Sequence, residues 1–115
     1  MITASFYRDR EGNLNHYRII GHANSGVYGQ DIVCAAVSAT TIGTTNSLQD
    51  LAGLTPVVES DQDNGGYLDV TISLHVDQEK VLISQVLLEN LLGTLQSIQK
   101  NYSDYLIVKN DTSTD

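Results

Sequence analysis

The opening residues 2–20, ITASFYRDREGNLNHYRII, predict a β-hairpin on which the rest of the fold is built. Within residues 2–6, large apolar and smaller polar side chains alternate, the period of two that is typical of a half-buried strand. Residues 9–13 combine charges with glycine and asparagine and predict a turn. Residues 14–20 then predict a second strand, antiparallel to the first.

A helix is predicted to follow the hairpin, beginning at Asp31 and ending at Gly53. Aspartate is favoured as an N-cap because its carboxylate accepts hydrogen bonds from the free N–H groups of the first turn. Glycine is favoured just after a helix, and Pro56 prevents the helix from resuming. Beyond it, residues 57–61 predict a short strand, and the strict alternation of residues 67–76 predicts the clearest strand of the chain.

The last third of the chain predicts a second helix, capped by Asp77, because its leucines recur at spacings of three and four residues. One further strand is predicted over residues 105–109, followed by a disordered tail at 110–115. The element order predicts one α+β domain, residues 1–109: a two-layer sandwich with a mostly antiparallel sheet and both helices on one face. The half-exposed opposite face and an open strand edge favour a homodimer.

Charge and composition restrict the class of partner. The net charge is −8, with fourteen acidic and six basic side chains. Excess acid promotes solubility in any protein, but it also repels nucleic acid and anionic lipid and attracts basic polypeptides. No apolar run approaches the roughly 20 residues that span a bilayer. The N-terminal residues do not resemble a signal peptide, and a single cysteine cannot form an intrachain disulfide, so a cytoplasmic protein is expected.

The only cysteine, Cys34, follows Asp31 closely and lies twelve residues after His22. A helix start gathers free N–H groups and partial positive charge, which favour a thiolate and would stabilise an oxyanion. A thiolate with an imidazole within reach can carry out covalent acyl transfer. The segment between the two residues is predicted to be a mobile cover over this site, and its residues are Asn24, Ser25, Gly26, Val27, Tyr28, Gly29 and Gln30.

Each of these residues also has an ordinary structural interpretation. Free cysteines are usually buried, and a histidine at a strand end is often only a surface residue. Asp31 would act either as the helix cap, which sequence favours, or as the group that orients His22. Ser38, one helical turn after Cys34, would either donate toward the reacting group or bond back to the Cys34 carbonyl.

Metal binding is not expected from the remaining histidines. His16 and His75 are predicted to lie on strands, with their side chains in solvent. A zinc site would need three or four ligands, and no pair among the histidines and Cys34 has ligand spacing on one element. Neither a metal nor another cofactor is therefore predicted.

Taken together, Gly21-His22-Ala23, Gly29, the stretch DIVCAA at residues 31–36 and Ser38 resemble the signature of the bacterial ribosomal-processing cysteine proteases. These enzymes trim an N-terminal extension from the precursor of large-subunit ribosomal protein number twenty-seven. The Met-Ile-Thr start, the chain length, the DNGG turn at 63–66 and the leucine-rich second helix also resemble this family.

The resemblance implies a cysteine endopeptidase in which Cys34 is the nucleophile and His22 the base, supported by Asp31, Ser38 and Gly21. It also implies a homodimeric α+β sandwich and a loop before the helix that reorders on substrate. The substrate would be a basic ribosomal protein precursor cut after an aromatic residue, which requires an apolar pocket beside Cys34. The acidic charge would steer such a substrate toward the enzyme.

Two alternatives belong to other functional classes. A non-catalytic ribosome-assembly module would bind the same precursor without cutting it. A redox sensor would use Cys34 for reversible oxidation without peptide turnover.

Overall fold

The computed structural model describes residues 1–21, 28–61 and 66–112, with the backbone alone at 28–31 and 112. These residues form five strands and two helices. In chain order they are β1 (Ile2–Arg8), β2 (Leu14–Ile20), α1 (Tyr28–Asp50), β3 (Val57–Asp61), β4 (Tyr67–Thr71), α2 (Gln78–Asn101) and β5 (Leu106–Thr112).

The five strands form one mixed sheet in the order β3-β4-β2-β1-β5. The pairs β1–β2, β2–β4 and β3–β4 are antiparallel. Short connections join β1 to β2 and β3 to β4, as expected for antiparallel neighbours, whereas α1 and β3 separate β2 from β4 in the chain. β5 pairs in parallel with β1, with Leu106 opposite Ile2. The chain enters β5 through α2, because a strand that pairs in parallel must be reached by a crossover connection. The predicted α+β fold is confirmed, with a single parallel pair within a mostly antiparallel sheet.

Both helices cover the same face of the sheet and share one hydrophobic core with it. The strands contribute alternate residues: Phe6 and Tyr17 are paired across β1 and β2, and both are almost fully buried. α1 contributes Val33, Val37 and Leu48, and α2 contributes a row of leucines at helical spacing. The opposite face of the sheet, called the open face below, carries the intervening residues such as Thr3, Arg18 and Lys109.

Polar side chains fix α2 to the hairpin. The Gln85 amide donates to the Leu14 carbonyl at 2.8 Å and accepts from the Leu14 N–H at 2.7 Å. Arg8 donates two bonds to the Glu89 carboxylate, at 2.6 and 3.0 Å. The hydrogen bond from Arg8 lowers the pKa of Glu89, as expected for a bidentate pair.

By length and composition alone, α2 is also apolar enough to cross a membrane. A core helix of a folded domain meets the same criterion, and α2 buries Val81, Ser84, Leu88, Leu91, Leu92 and Leu95. The core thus accounts for these apolar residues of α2, while Leu82 and Val86 are exposed.

Two boundaries predicted in the second half of the chain are wrong. The strand predicted over residues 67–76 ends at Thr71. Its pairing with β2 stops at His16 opposite Thr71, although β2 itself extends to Leu14, and one further bond runs from the Ile72 N–H to the Asn15 carbonyl at 3.0 Å. Burial nevertheless continues to alternate over residues 72–75, which explains the sequence pattern. The predicted disordered tail does not include residues 110–112, which pair with the end of β1. Residues 113–115 lie outside the described part.

Candidate active site

The helix that carries the cysteine starts one turn earlier than the sequence predicts. α1 begins at Tyr28, so Asp31 is its fourth residue and Cys34 its seventh. The prediction of Asp31 as N-cap is therefore wrong. Residues 28–30 are helical here, and their role in a mobile cover stays a prediction. Gly29 costs a helix about 1 kcal/mol, but extending an existing helix adds a hydrogen bond per residue. His22 and residues 24–27 of the predicted cover lie outside the described residues.

The early start separates Cys34 from the free amides of the helix. Only the first four N–H groups of a helix lack a partner within it. At a rise of 1.5 Å per residue, Cys34 lies about 9 Å along the axis from Tyr28. In this arrangement the expected oxyanion donors of the helix start are not beside the sulfur, contrary to the prediction that placed Cys34 in the first turn.

Cys34 is a free thiol, half-buried, in the wall of a cavity of about 450 Å³. The cavity lies between the first half of α1 and the sheet. Its helical wall is one stripe of α1 at spacings of three and four residues, and its floor comes from apolar strand residues. The stripe comprises Cys34, Val37, Ser38, Thr41 and Ile42, and the floor includes Ile2, Ile19 and Leu68.

Gly21, the last described residue before position 22, lines the same cavity. Its N–H donates to the Gly66 carbonyl at 2.9 Å, and its φ of +90° is a conformation that favours glycine. A Cβ atom here would collide with the Met1 carbonyl oxygen. Of the predicted site residues, the cavity therefore brings together Cys34, Ser38 and Gly21, while the side chain of Asp31 lies outside the described part.

Thr41, in the cavity wall, has a buried hydroxyl without a partner among the described residues. Neighbouring threonines bond back to the preceding helical turn: Thr40 donates to the Ala36 carbonyl at 2.9 Å, and Thr45 to the Thr41 carbonyl at 2.8 Å. Thr45 also bonds to the Tyr17 hydroxyl at 2.6 Å. Burial raises the pKa of Tyr17 to about 12, so this hydroxyl stays protonated and can donate to Thr45.

We expect the substitution Thr41→Val to stabilise the protein. It replaces an unsatisfied buried hydroxyl by a methyl group of similar shape, which relieves a cost of about 1 kcal/mol or more. Thermal unfolding should show a midpoint raised by about 4 °C. Thr45→Val is the matched control and should lower the midpoint, because it leaves the Tyr17 hydroxyl unpaired. A Thr41→Val midpoint at or below that of the wild type would contradict the assignment.

The open face holds a separate polar cluster that sequence patterns do not predict. Asp69 accepts from His16 and from Arg18, both at 2.8 Å. Burial acts to raise the pKa of Asp69, but these two hydrogen bonds and the charge of Arg18 outweigh it, so the pKa is lowered. His16 also stacks on Tyr7, with ring centroids 4.7 Å apart, so the expectation that it simply faces solvent is wrong.

No group of three metal-binding side chains occurs among residues 1–21, 28–61 and 66–112. His75 is exposed, as predicted. Since His22 is outside this range, the expectation of a metal-free site stays a prediction.

The cavity lining is the part of the site that sequence reasoning missed. The helical half was accessible, because residues three, four, seven and eight positions after Cys34 share its face. The strand half, with Ser60 and Leu68 beside Ile19, depends on the order β3-β4-β2, which no local pattern specifies.

The chain is similar to known proteins over almost its whole length. Residues 1–107 match the family model of Cysteine protease Prp. The ribosomal processing cysteine protease Prp of Bacillus subtilis is 34% identical over 108 residues, covering 94% of this chain and 96% of the relative. The protein of the same name from Staphylococcus aureus is 34% identical over 104 residues, covering 90% and 93%.

Solved structures resemble the whole fold. A Streptococcus mutans crystal structure has a TM-score of 0.87 at 34% identity, covering 98% of this chain and 96% of that one. The S. aureus ribosomal processing protease Prp with a covalently linked product peptide has a TM-score of 0.80 at 32% identity, covering 96% and 99%. Since the family model spans nearly the whole sequence, this chain belongs to the cysteine protease Prp family.

Proposed function

We propose that this protein is a cysteine endopeptidase that removes the N-terminal extension of a large-subunit ribosomal protein precursor. The observation that carries the proposal is the half-buried free thiol of Cys34, in the wall of an apolar cavity that also contains Gly21. Gly21, which precedes His22 in the sequence, lines that cavity. The names of the relatives support the ribosomal substrate.

The proposed reaction passes through an acyl-enzyme. The Cys34 thiolate attacks the scissile carbonyl, a carbon–sulfur bond forms, and the carbon–nitrogen bond breaks as the His22 imidazolium protonates the leaving amine. Water, deprotonated by His22, then releases the product acid and the thiolate. The covalently linked product peptide of the S. aureus relative supports a covalent step.

Stabilisation of the oxyanion by helix-start amides requires a rearrangement. In the described arrangement the free amides belong to residues 28–31. Unwinding of this first turn would move the free amides toward Cys34, so the proposed catalytic state has a shorter α1. Ser38 is exposed one turn after Cys34 and is proposed to donate toward the reacting group, while Asp31 is proposed to orient His22.

The cavity is proposed to bind the aromatic side chain that precedes the cleaved bond. A volume of about 450 Å³ falls within the range of small-ligand pockets. Ile2, Ile19 and Val37 give it apolar walls. An aromatic ring buried there would contribute affinity and hold the scissile carbonyl near the sulfur.

We propose further that the enzyme is a cytoplasmic homodimer that contacts neither nucleic acid nor membrane directly. The net charge of −8 supports the last two points. Two exposed isoleucines on the open face support a second copy as partner: Ile20 and Ile107 lie on either side of Thr3 across three strands and are 45% and 41% exposed.

The test is incubation of the purified protein with the precursor, followed by N-terminal sequencing of the products. We expect one cut, after an aromatic residue. Binding of the precursor without any cut would favour the non-catalytic assembly module. Oxidation of Cys34 by peroxide that a thiol reductant reverses, without peptide turnover, would favour the redox sensor.

A further inference from the structure

The outer edge of β3 differs from the other edge of the sheet, which is formed by β5. All five residues of β3 are exposed, including Val57 and Val58 at 64% and 46%. Natural proteins protect edge strands with charged side chains, especially lysine, with proline or with a bulge, because free N–H and C=O groups invite another strand. β3 contains neither lysine nor proline, and its register with β4 is regular over all five pairs. Its charged residues, Glu59 and Asp61, are both acidic and would repel an acidic strand but not a basic one.

A row of charges across the open face ends at this edge. Cross-strand pairs align Lys109, Ser5, Arg18, Asp69 and Glu59, in that order. Asp69 is satisfied by Arg18 and His16. Glu59 lies directly opposite Asp69, a like-charge pair, and has no cationic partner among the described residues. If another strand paired with the outer edge of β3, its residue beside Glu59 would therefore be favoured to carry a positive charge.

The same edge adjoins the cavity of Cys34. Ser60 of β3 and Leu68, its partner on β4, both line that cavity. The described residues that line the cavity include none from β5, the other edge strand. At the β5 end of the same row of residues lies Lys109, whose charge repels a basic chain. A peptide can thus reach the cavity and the edge of β3 together.

We propose that the outer edge of β3 binds an extended, basic segment of the substrate as a sixth strand, with a lysine or arginine of that segment beside Glu59. The proposal rests on the proposed function and assigns the binding site for the residues that flank the cut. Backbone hydrogen bonds to β3 would supply affinity, and Glu59 would supply selectivity for a cation. Alternate residues of the added strand would face the open side and the cavity side.

Methylation of backbone nitrogens tests the pairing. A peptide spanning the cut site is synthesised with one N-methyl group at a time, and its affinity for the Cys34→Ala protein is measured by fluorescence anisotropy. We expect affinity to fall about threefold to tenfold at every second residue on one side of the cut and to be unchanged between them. Sensitivity without this period of two, or none, would overturn the proposal.

Charge exchange tests the role of Glu59. Glu59→Lys should weaken binding of the basic peptide, and replacing the facing peptide lysine by glutamate should restore it. Glu11→Lys, in the exposed turn between β1 and β2, makes the same change of net charge away from the cavity and should weaken binding less, without rescue. Equal effects of both variants would contradict a specific site at β3.

Cleavage of the unmodified peptide by the wild-type protein is measured in parallel. Cleavage without the periodic N-methyl effect rejects only strand addition at β3. If the peptide is not cleaved but N-methylation still weakens binding at every second residue, the proposed function is wrong and peptide binding at the edge of β3 still holds.

Discussion

Replacing Cys34 by alanine is expected to reduce precursor cleavage by about a thousandfold or more, to the uncatalysed background. The reason is chemical: without the sulfur there is no nucleophile, and removing a catalytic nucleophile costs far more than any binding contact. The rate is measured by single-turnover cleavage of a labelled precursor peptide. Because Cys34 is small and half-buried, the variant should remain folded and bind the peptide with nearly unchanged affinity.

Two further measurements separate the thiol chemistry from packing. Cys34→Ser keeps the size of the side chain but has a weaker nucleophile, so it should be nearly as inactive as the alanine variant. Iodoacetamide should alkylate Cys34 in the free wild-type protein, and a bound substrate peptide should slow that reaction. If the alanine variant cleaved at the wild-type rate, Cys34 could not be the nucleophile and the proposed mechanism would be wrong.

The strands were predictable where one local rule was sufficient. Residues 14–20 and 57–61 begin and end where the structure has β2 and β3, since a turn or a proline bounds each. Alternation alone gave a wrong strand end at residues 72–76, because burial alternates over residues 72–75 although the pairing with β2 ends at Thr71. Strand pairing depends on the neighbour as well as on the pattern.

The predicted start of α1 was wrong for a related reason. Asp31 and Gly29 are typical of a helix boundary, yet both are accommodated inside α1. Propensities at a helix end differ by only about 1 kcal/mol, so packing of the adjacent turn can shift the boundary by several residues. The association of Cys34, Ser38 and Gly21 was predicted from their motif, but the cavity they share depends on the strand order.

The substitution Gly21→Ala is expected to be the most damaging change outside the catalytic pair. A side chain at φ +90° costs about 1–2 kcal/mol, and the Cβ atom would also displace the backbone of Met1. We expect a loss of about 2–4 kcal/mol in the free energy of unfolding, measured by urea denaturation. Since His22 follows directly, kcat should fall at least about tenfold even at temperatures where the variant is fully folded.

Gly12→Ala is the matched control for this change. Gly12 has a similar φ of +86°, but no atom lies within 4 Å of a Cβ built there, and it is in the turn between β1 and β2. The Gly12→Ala variant should lose only the cost of the unfavourable backbone conformation, about 1–2 kcal/mol in the free energy of unfolding, and should keep its kcat. Equal losses of stability in the two variants, with kcat unchanged in both, would mean that the contact of Gly21 with Met1 neither holds the fold nor positions residue 22. A larger loss at Gly21 accompanied by lower kcat is the result that links this contact to catalysis.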